Sequence, residues 1–235
     1  MVSYDVLIEG QAGGHILDVA TGQGHFARWM AESLSGVCSV TGIDDSEKGF
    51  EQAREALPDA TLLRMDAVRM TFADCCFDTV GISNSVHHLA DRFTAMGEIR
   101  RVLKPGGILL LSEMYRDVEA DTQQTHVLLH HWWAEVDRSL GIPHFRTLTR
   151  GELPDLVRAC GLVVELALDW KNLEADPKDP ETLAEFDKII DMYLDRADQT
   201  ANREVFRRRG EELRRRLHEV GFHPATLLLL RARKP

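Results

Sequence analysis

The sequence predicts an α/β fold: a doubly wound, mostly parallel sheet covered by helices on both faces and interrupted by helical insertions. Three observations predict it. Short β-like apolar runs alternate with amphipathic helical stretches. Glycines and acidic residues recur just after those runs. At 235 residues, the chain can bury a large core as one domain spanning 1–235.

The first strand is expected at His15–Ala20, with a helix near Gly24–Ser35. Ser39–Asp44 reads as strand two and Ser46–Leu57 as the second helix, stopped by Pro58. Thr61–Met65 and Phe77–Ser83 read as strands three and four. In the following helix, Asp91–Leu103, a stripe of Phe93, Met96, Ile99, Val102 and Leu103 is expected to face the core. Lys104–Gly107 reads as a tight turn launching strand five, Gly107–Ser112. The pattern of Thr149–Glu152 predicts a capping box opening a helix to Cys160, and Leu162–Leu168 follows as strand six. Ala225–Ala232 closes the chain as a strand. Between these lie two helical insertions, about 115–148 and 176–221, expected to serve as lid, substrate or oligomer elements.

Composition narrows the function classes. A net charge of −10 opposes general binding to nucleic acid or anionic membranes. The arginine runs Arg207–Arg209 and Arg214–Arg216 read as a solvated helix face, with Glu211–Arg215 and Glu212–Arg216 at i,i+4 spacing. No apolar run approaches the roughly 20 residues of a membrane span, and MVSYDVLIEG has no secretory pattern, so a cytoplasmic location is expected. The four cysteines form no C-x-x-C and are expected to be reduced.

In a doubly wound sheet, ligands sit beyond the carboxyl ends of the strands. Asp18 and the Gly22-Gln23-Gly24 loop follow strand one, Asp44-Asp45 end strand two, Asp66-Ala67 follow strand three, and Asn84–His88 follow strand four. Gly22, Gly24 and Ala27 satisfy G-x-G-x-x-G/A, and Asp44 lies 20 residues after Gly24, the distance of a ribose-binding carboxylate. An NAD or another adenosyl ligand fits these features equally. Asp18 separates them: an anion near the loop disfavours pyrophosphate and favours a cationic ligand such as S-adenosylmethionine.

ILDVATGQG, GIDDS, MDA, FDTVGISNSVHHLAD and RRVLKPGGILLLSEM resemble the successive motifs of class I S-adenosylmethionine-dependent methyltransferases, especially the branch containing quinone-biosynthesis enzymes. The resemblance covers roughly Ile16–Met114. It implies a Rossmann-like, seven-stranded methyltransferase fold whose last strand is antiparallel. It places Asp18, Gly22, Gln23 and Gly24 around the methionine part, Asp44 on the ribose, Asp66 and Ala67 on the adenine, and Asn84 near the methyl donor; Asp45 joins the set beside Asp44. Ala20 stands where the family often has glycine. The product would be S-adenosylhomocysteine.

Methyl transfer asks mainly for proximity, orientation and water exclusion. A general base helps only where the acceptor carries a proton, and His87 and His88 are candidates without ground for choosing between them. His126 and His130 share a helix face and His144 follows, but no accompanying ligand spacing supports a metal, and none is expected. Trp132 and Trp133 are expected in the core. The expected partners are a small-molecule substrate and a second copy of the chain; neither nucleic acid nor membrane is expected. Two competing readings are a nicotinamide-dependent oxidoreductase, which gives Asp18 and Asp66 no role, and a non-enzymatic cofactor-binding partner subunit.

Overall fold

The computed structural model describes residues 4–235; the first three residues of MVSYDVLIEG lie outside them. The chain divides into two compact units, one comprising Met1–Glu113, Gly151–Trp170 and Leu228–Pro235, the other Met114–Arg150 and Lys171–Leu227. The stretches read as insertions fall in the second unit.

In chain order the elements are β1 (Ala12–Val19), α1 (His25–Ser33), β2 (Ser35–Asp44), α2 (Phe50–Ala56), β3 (Thr61–Arg64), β4 (Phe77–Ser83), α3 (Arg92–Val102) and β5 (Leu103–Met114). There follow α4 (Asp121–Ser139), α5 (Glu152–Ala159), β6 (Val163–Trp170), α6 (Pro180–Ala197), α7 (Arg203–Val220) and β7 (Leu227–Arg233). Among the described residues the strands form one seven-stranded sheet, ordered β3-β2-β1-β4-β5-β7-β6. β1 pairs in parallel with β2 and β4, β2 with β3, and β4 with β5. Gly106 donates to the Lys234 carbonyl and Tyr115 to that of Thr226, so β7 runs against β5. This is the expected fold class.

Strand order reverses between β1 and β4, where chain connections leave in opposite directions and open a crevice beyond the carboxyl ends. β-rich apolar sequence holds this centre: Ile16, Leu17, Val19, Val80, Ile82 and Leu109–Leu111 are fully buried. Ile16 and Leu17 on β1 pair with Thr79 and Val80 on β4, fixing the height at which both strands end.

Two local expectations are corrected. Lys104–Gly107 is not a turn before β5 but lies within it. Residue Phe77 pairs with Leu103 and Thr79 with Ile108, leaving a bulge in which Gly106 takes φ +78°. α5 starts after Gly151, whose backbone is already helical at φ −76° and ψ −37°. Phe93 is exposed rather than in the core, because at 100° per residue it lies about 130° around α3 from the buried Ala95, Met96, Ile99 and Val102.

The second unit packs α4, α6 and α7 around Leu129, Trp132, Val136, Ile190, Leu194, Leu213 and Leu217. Trp132 is fully buried, and its Nε1 donates to the Phe206 carbonyl at 3.1 Å. Both tryptophans are in this core, as expected. Gly210 lets α7 approach: a Cβ there would lie 2.5 Å from Cζ2 of Trp132. The arginine runs are neutralised between helices rather than by the expected i,i+4 pairs. Arg214 meets Asp191 and Asp187 on α6, and Arg209 meets Glu135 on α4. No described helix is long and apolar enough to cross a membrane, and all four cysteines are free thiols.

Candidate functional site

The chain leaves β1 through Ala20 and Gly22, both in left-handed backbone, with φ of 55° and 50°. The turn brings Thr21 back onto β1, where its hydroxyl donates to Oδ2 of Asp18 at 2.7 Å. Asp18 is buried between Gly42 and Gly81 of the neighbouring strands, and its Oδ1 has no hydrogen-bond partner among the described residues. Burial pushes its pKa up to about 7, the Thr21 hydroxyl and the Ala27 backbone N–H opposing the rise and the nearby Asp44 charge adding to it. A positive charge near this carboxylate would reverse that shift.

Gly22 and Gly24 have different tasks. A Cβ on Gly22 would meet nothing within 4 Å, so the space beside its Cα is open. Gly24 faces the protein: with φ +79° it starts α1, and a Cβ would lie 3.1 Å from that of Ala53 on α2. Gln23 is exposed, with Oε1 3.1 Å from Nε2 of His25.

Asp44, at the end of β2, ties the loop together. Gly22 N–H donates to Oδ2 and Ser46 N–H to Oδ1, each at 3.0 Å. A carboxylate offers about four lone pairs, so about two remain for an adjacent pair of hydroxyls. Asp45 is exposed, and partial desolvation followed by the charge of Asp44 raises its pKa. Asp66 closes a turn by accepting from Val68 N–H at 3.0 Å, while Ala67 is buried. The structure brings Asp18, Ala20, Gly22, Asp44 and Gly24 together through direct contacts or chain neighbours. Met65 N–H, donating to the Asp44 carbonyl, brings the start of the Asp66 loop alongside.

Beyond β4, Asn84 has φ 44°, and its N–H donates to the Ser112 carbonyl on β5. The short 3-10 helix Val86–His88 follows. His87 is buried and His88 exposed, which distinguishes two residues that the sequence left equivalent. Nδ1 of His87 lies 2.6 Å from Oε1 of Glu113, near the end of β5. Oε2 of Glu113 accepts from the N–H groups of Ser85 and Val86, at 3.0 and 2.8 Å. Three donors thus converge on an acceptor-only carboxylate, so His87 carries its proton on Nδ1 and presents an Nε2 lone pair. Sequence reading missed Glu113. Its signal is a lone carboxylate at the carboxyl end of the otherwise apolar GILLLSEM.

Residues 17–111 match a family model described as a methyltransferase domain. The methyltransferase GfsG of Streptomyces halstedii is 30% identical over 189 residues, covering 78% of this chain and 64% of that protein. A demethylmenaquinone methyltransferase of Staphylococcus aureus is 34% identical over 100 residues, covering 41% of this chain and 42% of that one. The chain thus spans less than two thirds of either relative. A solved SAM-dependent methyltransferase from Methanosarcina mazei superposes with a TM-score of 0.60 at 18% identity, covering 95% of this chain and 93% of that one, a likeness of fold.

Proposed function

The chain belongs to the class I S-adenosylmethionine-dependent methyltransferase family, and on that premise we propose that it transfers a methyl group to a small-molecule acceptor bearing a removable proton. The observation that carries the cofactor assignment is the Asp44 carboxylate, fixed by Gly22 and Ser46 with lone pairs to spare. Asp44 would hold the ribose hydroxyls, the backbone of Gly22 would lie along the methionine part, and Asp66 with Ala67 would receive the adenine. Gln23, Asp45, Ala20 and Asn84 complete the shell. Asp18 fits a cationic ligand: it is buried, and that burial raises its pKa to about 7, a rise that a nearby positive charge would oppose.

When bound, S-adenosylmethionine supplies a methyl group activated by a sulfonium. The protein's own task is then to position the acceptor and take its proton. His87 is suited to this through Nε2, with Glu113 fixing the ring and stabilising the imidazolium that forms. His88 is exposed and is given no part in proton transfer. Acceptor selection is assigned to the second unit, which lies outside the matched family segment.

Calorimetry with S-adenosylhomocysteine and NADH tests the ligand. Binding of the first and not the second is expected; the reverse would establish the oxidoreductase reading. An Asp44→Ala variant should lose S-adenosylhomocysteine affinity by tenfold or more, on the order of 1.4 kcal/mol. Cofactor binding without methyl transfer to any hydroxyl, amine or acidic-carbon acceptor in a broad panel would favour the binding-subunit reading instead.

A further inference from the structure

We propose that His130 and His144 of the second unit form a two-histidine site for a divalent transition-metal ion, with Asp137 as the outer carboxylate that orients His144. The two Nε2 atoms face each other at 3.2 Å, and both rings are more than nine-tenths buried. Two nitrogens bound at about 2.0–2.1 Å to one tetrahedral ion stand about 3.3 Å apart, so the separation is that of neighbouring ligands. Ring placement points the same way. A straight N–H···N bond of this length would hold the centroids about 5.5 Å apart. They are 4.7 Å apart at an interplanar angle of 79°, so the rings are folded toward each other.

The surroundings of the pair prepare it for a cation. Nδ1 of His144 lies 2.8 Å from Oδ2 of Asp137, which places the proton on Nδ1 and leaves Nε2 as a lone-pair donor. The same Oδ2 accepts from the Tyr193 hydroxyl at 3.0 Å, and the Arg196 guanidinium stands 2.7 Å from Oδ1. Asp137 is thereby locked, and with it the His144 ring. His130 is held one turn away from Trp133 on α4, with ring centroids at 6.1 Å. The neighbouring His131 is not a third ligand: its Nε2 is engaged with the Thr147 hydroxyl at 3.1 Å. In sequence this pair carries no ligand spacing; only the loop after α4 brings His144 back to His130.

The test uses the full chain after chelator treatment, titrated with Co2+ and followed by visible absorption, with Zn2+ calorimetry alongside. One equivalent is expected to bind. His130→Ala and His144→Ala should each abolish uptake, and Asp137→Asn should weaken it tenfold or more. His218→Ala, which alters a surface histidine paired with Asp187, should leave it unchanged. The wild-type titration decides independently of whether the variants fold: no uptake by about 1 mM Co2+ overturns the proposal. Undiminished uptake in folded His130→Ala and His144→Ala proteins overturns it equally. None of these readouts depends on methyl transfer.

Discussion

Glu113 grips His87 and the two residues before it at once: one carboxylate oxygen meets Nδ1 of His87 at 2.6 Å while the other takes the N–H groups of Ser85 and Val86. This fixes both the ring and the tautomer. Glu113→Gln keeps the shape but changes the chemistry. The backbone N–H groups will hold the amide oxygen, turning the NH2 toward Nδ1 and forcing the proton to Nε2. The expected loss in kcat is about a hundredfold or more, with S-adenosylhomocysteine affinity unchanged. His87→Ala should fall equally far, and the double variant no further. Steady-state kinetics would check this, and an unaltered kcat in Glu113→Gln would remove proton transfer from the mechanism.

Ala20 occupies left-handed backbone at φ 55°, at the position where the resemblance leads one to expect glycine. An L-residue there costs roughly 1–2 kcal/mol, and glycine recovers that while adding up to about 1 kcal/mol of unfolded-state entropy. Ala20→Gly should therefore stabilise the chain by about 0.5–1 kcal/mol, raising Tm by about 1–4 °C. Thermal unfolding would show it; a lower Tm would mean that the Ala20 methyl group contributes packing.

These residues show how far the sequence was legible. The strand ends were readable because short apolar runs stop at acidic and glycine residues, so Asp18, Asp44, Asp66 and Asn84 could be placed at one edge. β4 was found to the residue, since Phe77–Ser83 is bounded by turn signals on both sides. β1 begins earlier than expected because Gly13 and Gly14 look like breakers, yet Gly14 sits in a bulge where the Asp78 carboxylate takes the next N–H. Glu113, Asp137 and His144 were illegible as functional groups for a different reason. Each gains its meaning from a side chain brought close only by tertiary folding, and no periodicity records that.

Gly210 illustrates the same limit on a helix. Alanine is worth about 1 kcal/mol more than glycine inside a helix, which by itself would stabilise α7. Its Cβ, however, would stand 2.5 Å from Cζ2 of Trp132 and 2.8 Å from Cδ2 of Leu194. The indole cannot slide away without giving up its bond to the Phe206 carbonyl. Overpacking of about 1–3 kcal/mol opposes the propensity gain of about 1 kcal/mol, so Gly210→Ala should lower stability by up to about 2 kcal/mol. Combining it with Trp132→Phe should recover part of the loss. Denaturant unfolding of the four-member cycle measures the coupling, and strict additivity would show that the ring and the new methyl group do not compete.

Asp18 ties stability to pH in a direction opposite to that of an ordinary paired carboxylate. Burial raises its folded pKa to about 7, whereas the unfolded chain releases the proton near pH 3.8. Between those values the folded state binds more protons, so stability contributed by this group is complete below about pH 4 and is lost as pH rises to about 7. The full difference is on the order of 4 kcal/mol. Asp18→Asn removes this titration, and its Tm should fall less than that of the wild type between pH 4.5 and 7.5, a window taken from the two pKa values. Saturating S-adenosylmethionine should flatten the wild-type profile, since a nearby cation favours the ionised carboxylate, and should do much less for the variant. Parallel wild-type and variant profiles without ligand would show that Asp18 is already ionised throughout that window.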